Sequence, residues 1–180
     1  RATIIGETTA GAAHPVQPMV IGEGFVISMP GGRPINPISQ TNWEGTGIEP
    51  HISVAQEDAL KVAHIHALEK LIERETDDNK KRIHEWALEI AKAEYEPTTV
   101  DLPAFEQYVG QYANFEIKIK DDILMGRVYN IDTPLLPITP DHFAMGEGLK
   151  LRFGSNGSGK PHMQLAMRDS GQEVTIPRTG

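Results

Sequence analysis

The 180-residue chain contains no cysteine. That excludes disulfides, thiolate metal sites and a cysteine nucleophile, and it fits either a reducing or an oxidising compartment. No apolar run approaches the roughly 18 residues of a membrane span, and no signal-peptide pattern is present. Basic residues are in the minority, 17 Lys and Arg against 25 Asp and Glu, for a net charge of −8. No Lys/Arg cluster offsets that charge, which argues against nucleic acid and anionic membrane surfaces as partners. The acidity sits mostly in residues 1–97, with 9 basic against 15 acidic residues; residues 98–180 hold 8 against 10. No HExxH or G-x-S-x-G spacing occurs. His64 and His66 stand at i, i+2 on a helical pattern and diverge, so no metal site is expected there. The stretch 154–160, Gly-Ser-Asn-Gly-Ser-Gly-Lys, lacks the GxxxxGK[ST] frame because Pro161 follows Lys160, so no phosphate site and no cofactor are expected.

What is present is globular in character: 39% hydrophobic and 23% charged residues, enough for one domain or two small ones. The chain begins at Arg1 and passes straight into a strand-like run at residues 2–5. Both features lead to the expectation that it is a piece of a longer polypeptide. The apolar run 2–5 suits a strand buried on both faces, as in a parallel sheet. Residues 8–15, Thr-Thr-Ala-Gly-Ala-Ala-His-Pro, form a turn. Residues 19–21 and 24–29 read as a hairpin joined by Gly22-Glu23-Gly24, and 51–54 as one further short strand. A capping box of Ser53 and Gln56 predicts a helix from Ser53 to about Arg74, with Leu60, Ala63, Ala67, Leu68 and Leu71 as its apolar stripe. A second helix is predicted from Thr76 or Asp77 to before Pro97, burying Ile83, Trp86, Ala87 and Ile90. After Pro97 the helical period disappears. One short helical turn at 102–108 is followed by seven strand candidates, at 112–119, 123–129, 135–138, 142–145, 149–153, 162–167 and 173–176. That spacing predicts a small antiparallel sandwich or barrel.

The stretch 36–50, Asn-Pro-Ile-Ser-Gln-Thr-Asn-Trp-Glu-Gly-Thr-Gly-Ile-Glu-Pro, stands out. It holds one of two tryptophans, a carboxylate and two alternate glycines between bracketing prolines. Such a segment is a loop, and loops of this kind carry function.

Taken together, residues 6–15 (Gly-Glu-Thr-Thr-Ala-Gly-Ala-Ala-His-Pro), Asn36-Pro37 and residues 42–50 resemble the S41 serine peptidases, the tail-specific or C-terminal processing proteases. The closer branch is that of interphotoreceptor retinoid-binding protein and the tricorn core. The match in order and spacing covers residues 1 to about 68. The resemblance implies an α/β (α+β) fold: the C-terminal part of a ClpP/crotonase-like ββα peptidase core, two helices, then a small antiparallel β domain. The corresponding divisions are 1–75 for the peptidase part, 76–97 for a connecting helix and 98–180 for an accessory β domain. Tyr108-Val-Gly-Gln-Tyr112 in that last part resembles the opening of β domains appended to bacterial hydrolases.

By the same resemblance the nucleophilic serine lies upstream of Arg1, so the chain alone is expected to be inactive. The turn at 8–13 has no lysine, which speaks against a Ser-Lys dyad. Glu44 falls on the assisting glutamate of a serine–histidine–glutamate arrangement, where a carboxylate would orient an imidazole. Thr9, Gly11, His14 and Trp43 would line the active site. The implied substrate is an unstructured C-terminal tail, and the implied location is periplasmic or secreted. An alternative is a non-catalytic module that binds a retinoid or fatty acid. A core cut in mid-sheet would also leave a strand edge and an apolar face, which predicts pairing with another copy.

Overall fold

The computed structural model describes residues 2–179; Arg1 lies outside them. Among the described residues the fold is mixed, with three α-helices and a mostly antiparallel set of strands. The chain divides after Ala63 into two compact units.

In the first unit, β1 (Ile5–Gly6) and β4 (Ile52–Ser53) pair in parallel. The expected strand at 2–5 is thus shorter and less buried: Ala2, Thr3 and Ile4 are exposed. The ladder holds only two residue pairs, Ile5 with Ile52 and Gly6 with Ser53, so residues 2–4 lie outside it. The Ile4 carbonyl accepts the amides of His51 and Ile52, and the Ile4 amide donates to His51 Nδ1 at 3.0 Å. β2 (Val16–Gly22) and β3 (Phe25–Pro30) form the expected hairpin. β2 begins three residues earlier than the pattern suggested, running through Pro18, which a strand with an open edge tolerates. Eight large apolar side chains of this hairpin are exposed, among them Val20 at 75% and Phe25 at 70%.

The Ser53–Gln56 capping box does not form. The Ser53 backbone is engaged in the β1–β4 pair, and a 3-10 turn at Gln56–Asp58 precedes α1 (Ala59–Arg74). The Gln56 amide is held instead by Glu7 Oε1 at 3.2 Å. The apolar stripe of α1 is also rotated. Leu60 (79%) and Leu71 (48%) are exposed, while Leu68 is buried with Ile65 and Ile72 half-buried. α1 carries apolar residues on more than one face, so periodicity alone did not choose between them.

The second unit contains α2 (Asp78–Tyr95), started by the Asp77 side chain, which accepts the amides of Asn79 and Lys80. Trp86, Ala91 and Ala93 are buried there, and Ile83 is exposed. α3 (Leu102–Phe105) is capped by Asp101. Eight strands follow as a meander: β5 (Gly110–Tyr112), β6 (Phe115–Lys120), β7 (Ile123–Val128), β8 (Ile131–Thr139), β9 (His142–Met145), β10 (Leu149–Ser155), β11 (Pro161–Met167) and β12 (Glu173–Pro177). Each pairs antiparallel with the next, and the sheet nearly closes. At the seam the Thr179 amide donates to the Gln111 carbonyl at 2.8 Å.

The sequence pattern missed one strand. Residues 112–119 are broken after Tyr112 by a turn in which Ala113 takes φ 49°. Likewise β8 starts at Ile131, because Tyr129 and Asn130 both adopt positive φ (48° and 63°) and make the tight hairpin turn there.

The barrel interior is filled by side chains, as an eight-stranded barrel allows. Tyr112, Ile117, Phe143, Leu151 and Met163 are fully buried. Phe105 from α3 packs edge-on against Phe143 and Phe153, with centroids 5.0 and 5.3 Å away. α2 lies on the outer wall: Trp86 Nε1 donates to the Glu147 carbonyl at 2.9 Å, and Arg82 donates to the Arg168 carbonyl. Phe143→Ala removes the ring at the centre of this cluster. It should destabilise the protein by about 3–5 kcal/mol, read as a lower midpoint in urea at unchanged m-value. A loss below about 1 kcal/mol would show that the cluster does not hold the barrel.

Candidate functional site

The turn at 8–15 and the loop at 36–50 lie side by side in the first unit. The Thr9 amide donates to the Ile48 carbonyl at 3.2 Å, and the Ile48 amide donates to Thr9 Oγ1 at 2.9 Å. The Gly45 amide donates to the Gly11 carbonyl at 2.8 Å. These bonds need a close backbone approach that only glycine permits. Gly11 and Gly47 have φ of 76° and 74°. A Cβ on Gly47 would stand 1.9 Å from the Thr9 carbonyl oxygen, and one on Gly11 would stand 2.7 Å from the Gly47 nitrogen.

Glu44 is the tie between the two segments. Its Oε2 accepts the Ala13 amide at 2.7 Å and the His14 amide at 3.1 Å. The same oxygen is 3.8 Å from His14 Nδ1. Oε1 takes no hydrogen bond from the described residues. The Ala13 amide holds the Glu44 carboxyl below its ordinary value; partial burial opposes that, and the His14 amide and ring reinforce it.

Asn42 completes the arrangement, and the sequence reading did not single it out. Its Oδ1 accepts the Glu44 amide at 3.1 Å, a local turn that sets the direction of the carboxylate. Its Nδ2 donates to the Pro34 carbonyl at 3.0 Å and lies 3.5 Å from His14 Nε2. The imidazole is therefore bracketed, with a carboxylate beside one nitrogen and an amide donor beside the other. The signal in the sequence was the Asn-x-Glu spacing, since an asparagine two residues before the carboxylate can hold its amide.

Of the residues expected to line a site, Thr9, Gly11, His14 and Glu44 are brought together. Gly11 is buried and His14 half-buried. Trp43 takes part differently. The residue is 41% exposed, and its contribution is the carbonyl, which accepts the Gly47 amide at 2.9 Å. The arrangement can orient an imidazole and hold its neighbouring backbone rigid. Among the described residues no group of three or more His, Asp or Glu side chains could hold a metal ion. Among the described residues no helix is long and apolar enough to cross a membrane.

No protein-family model matches the chain, and no solved structure matches it.

Two outcomes test this geometry. Gly47→Ala should unlock the two loops at a cost of at least about 1–3 kcal/mol, seen as faster exchange of the Thr9 and Ile48 amide protons; unchanged exchange would mean that the close approach is dispensable. The lowered Glu44 pKa also sets a sign. A carboxylate more acidic in the folded state than in the unfolded state stabilises above its unfolded pKa, and that stabilisation is lost as pH falls through the folded one. Protection of the Ala13 amide should therefore hold at neutral pH and fall below the ordinary Glu value of 4.5. In Glu44→Gln this pH dependence should vanish.

Proposed function

We propose that this chain is the C-terminal portion of an S41-type serine endopeptidase of the tail-specific kind. Its first part would belong to a ClpP/crotonase-like core whose nucleophilic serine lies upstream of residue 1. One observation carries the reading: Glu44 is fastened by two backbone amides against His14, at the junction of the two segments that carry the family resemblance. The parallel β1–β4 pair is the kind of ribbon that a longer parallel sheet would extend. In the assembled site Glu44 would steady an imidazole that takes the serine's proton, and Oε1 is the oxygen left for that work. Thr9, Gly11 and the Trp43 carbonyl would shape the wall around it. The substrate would be the unstructured tail of a protein, in the periplasm or outside the cell. The barrel would be an accessory domain.

A second reading has the parent bind a retinoid or fatty acid without turnover. The exposed apolar hairpin favours it, since Met19, Ile21, Phe25 and Ile27 present surface that an apolar ligand could cover. The same surface would also serve pairing with another copy. The barrel interior does not favour this reading, because it is packed with side chains.

The parent enzyme separates the two readings. A fluorophosphonate probe should label it at an upstream serine. Glu44→Gln should lower kcat at least about 100-fold while the amide exchange of the barrel stays unchanged. The 180-residue chain by itself should cleave no unfolded peptide. Absence of labelling together with saturable retinoid or fatty-acid binding would overturn the peptidase reading in favour of the second.

A further inference from the structure

The outer wall of the barrel carries a recess of about 270 Å³ that the residues above do not use. Helix α2 forms one side. Arg82, Glu85, Trp86 and Glu89 fall at i, i+3, i+4 and i+7, on one helical face. The sheet forms the floor in two rows of outward positions. Lys150 on β10 stands opposite Ala144 on β9 and Ala166 on β11, and Ala166 stands opposite Glu173 on β12. One pair further along, Arg152 stands opposite His142 and Gln164. The two alanines leave room above Lys150 for the Trp86 ring, whose centroid is 4.2 Å from Nζ.

Most of the charge here is committed. Lys150 is buried and paired with Glu89. Arg82 is tied to the Arg168 and Asp169 carbonyls. Arg152 has a single long contact, 3.4 Å from Nη2 to His142 Nδ1. Burial, helped by Arg152 and Lys150, pushes the His142 pKa down, so its ring accepts from the guanidinium and does not compete with it as a cation. Glu85 and Glu173 line the recess and form no ion pair with the described residues. The recess thus offers one available guanidinium, two available carboxylates and the Gln164 amide.

We propose that this recess binds a small zwitterion, an α-amino acid or a dipeptide, with its carboxylate on Arg152 and its ammonium between Glu85 and Glu173. Arg152 and Glu173 sit two strands and one pair step apart, roughly 12 Å between Cα atoms by ordinary sheet spacing. Both are outward positions on the same sheet and line the same recess, so one ligand carrying both charges can bridge them. A guanidinium fork suits a planar carboxylate, and two carboxylates suit an ammonium. Buried Lys150 and Trp86, with Glu89 paired to the lysine, form a fixed floor beneath the ligand. The proposal does not rest on the peptidase reading.

The test is a titration of the 180-residue chain with glycylglycine up to about 20 mM, the range that weak polar sites require. The Trp86 indole and Gln164 amide signals are followed by NMR. Saturable shifts of both are expected with glycylglycine, and none with N-acetylglycinamide, which lacks both charges. Arg152→Gln and Glu173→Gln should each weaken binding about tenfold, whereas Glu116→Gln, on the opposite part of the wall, should leave it unchanged. Unmoved signals, equal shifts with the neutral analogue, or affinity indifferent to both recess variants would overturn the proposal.

Discussion

One carboxylate oxygen, Glu44 Oε2, holds together two loops that would otherwise leave backbone amides without partners. Loops of 8 and 15 residues contain few ladder bonds, so their polar groups must be satisfied by side chains or water. Here the Ala13 and His14 amides converge on a single acceptor, and Asn42 fixes the acceptor's own amide. The glycines let the backbones come close enough, and the carboxylate then fixes their register. Substituting either kind of residue weakens the other's part: a carboxylate aimed at no amide, or two close backbones with the Ala13 and His14 amides left without their acceptor.

The two units rest on different physics. The second is held by burial, with Phe105, Phe143 and Phe153 meeting in the barrel and fully buried Tyr112, Ile117 and Leu151 around them. The first has little buried apolar surface; Ala13 is its one buried hydrophobic residue among those described. Its order comes from hydrogen bonds between loops and from one two-residue parallel pair. Its hairpin turns apolar side chains to solvent on both faces, contrary to the usual single-faced pattern of antiparallel strands. A unit built this way gains most from being covered.

The sequence made the barrel largely legible, because alternation and turn residues are local signals. Asp121-Asp122 announced the β6–β7 turn, and both residues take positive φ. Ala113 and Tyr129 carry no such chemical mark, so the breaks they make were read as strand. The capping box failed for a different reason: the ladder between Ser53 and Gly6 spans 47 residues of chain, and no local pattern reports it. In the candidate site the residue types were visible, and the pairing of the two loops was expected from resemblance. The bonding itself was not. That Glu44 would spend one oxygen on backbone amides, and that Trp43 would contribute its carbonyl while the residue itself stays exposed, are matters of three-dimensional register. The described parallel pairing amounts to two residues per strand.

The order of strands in the barrel has a kinetic meaning. Every strand pairs with its neighbour in the chain, across connections of about two to five residues, so each hairpin closes at little entropic cost. Contacts of that kind favour fast folding, and they let structure spread from any hairpin toward both ends. The exception is the seam, where Thr179 reaches Gln111 across 68 residues. That contact closes the largest loop in the barrel while adding few bonds, which places it last in the order of assembly and first to open. Turnover of the folded chain by cellular proteases would begin where the ends of the meander meet.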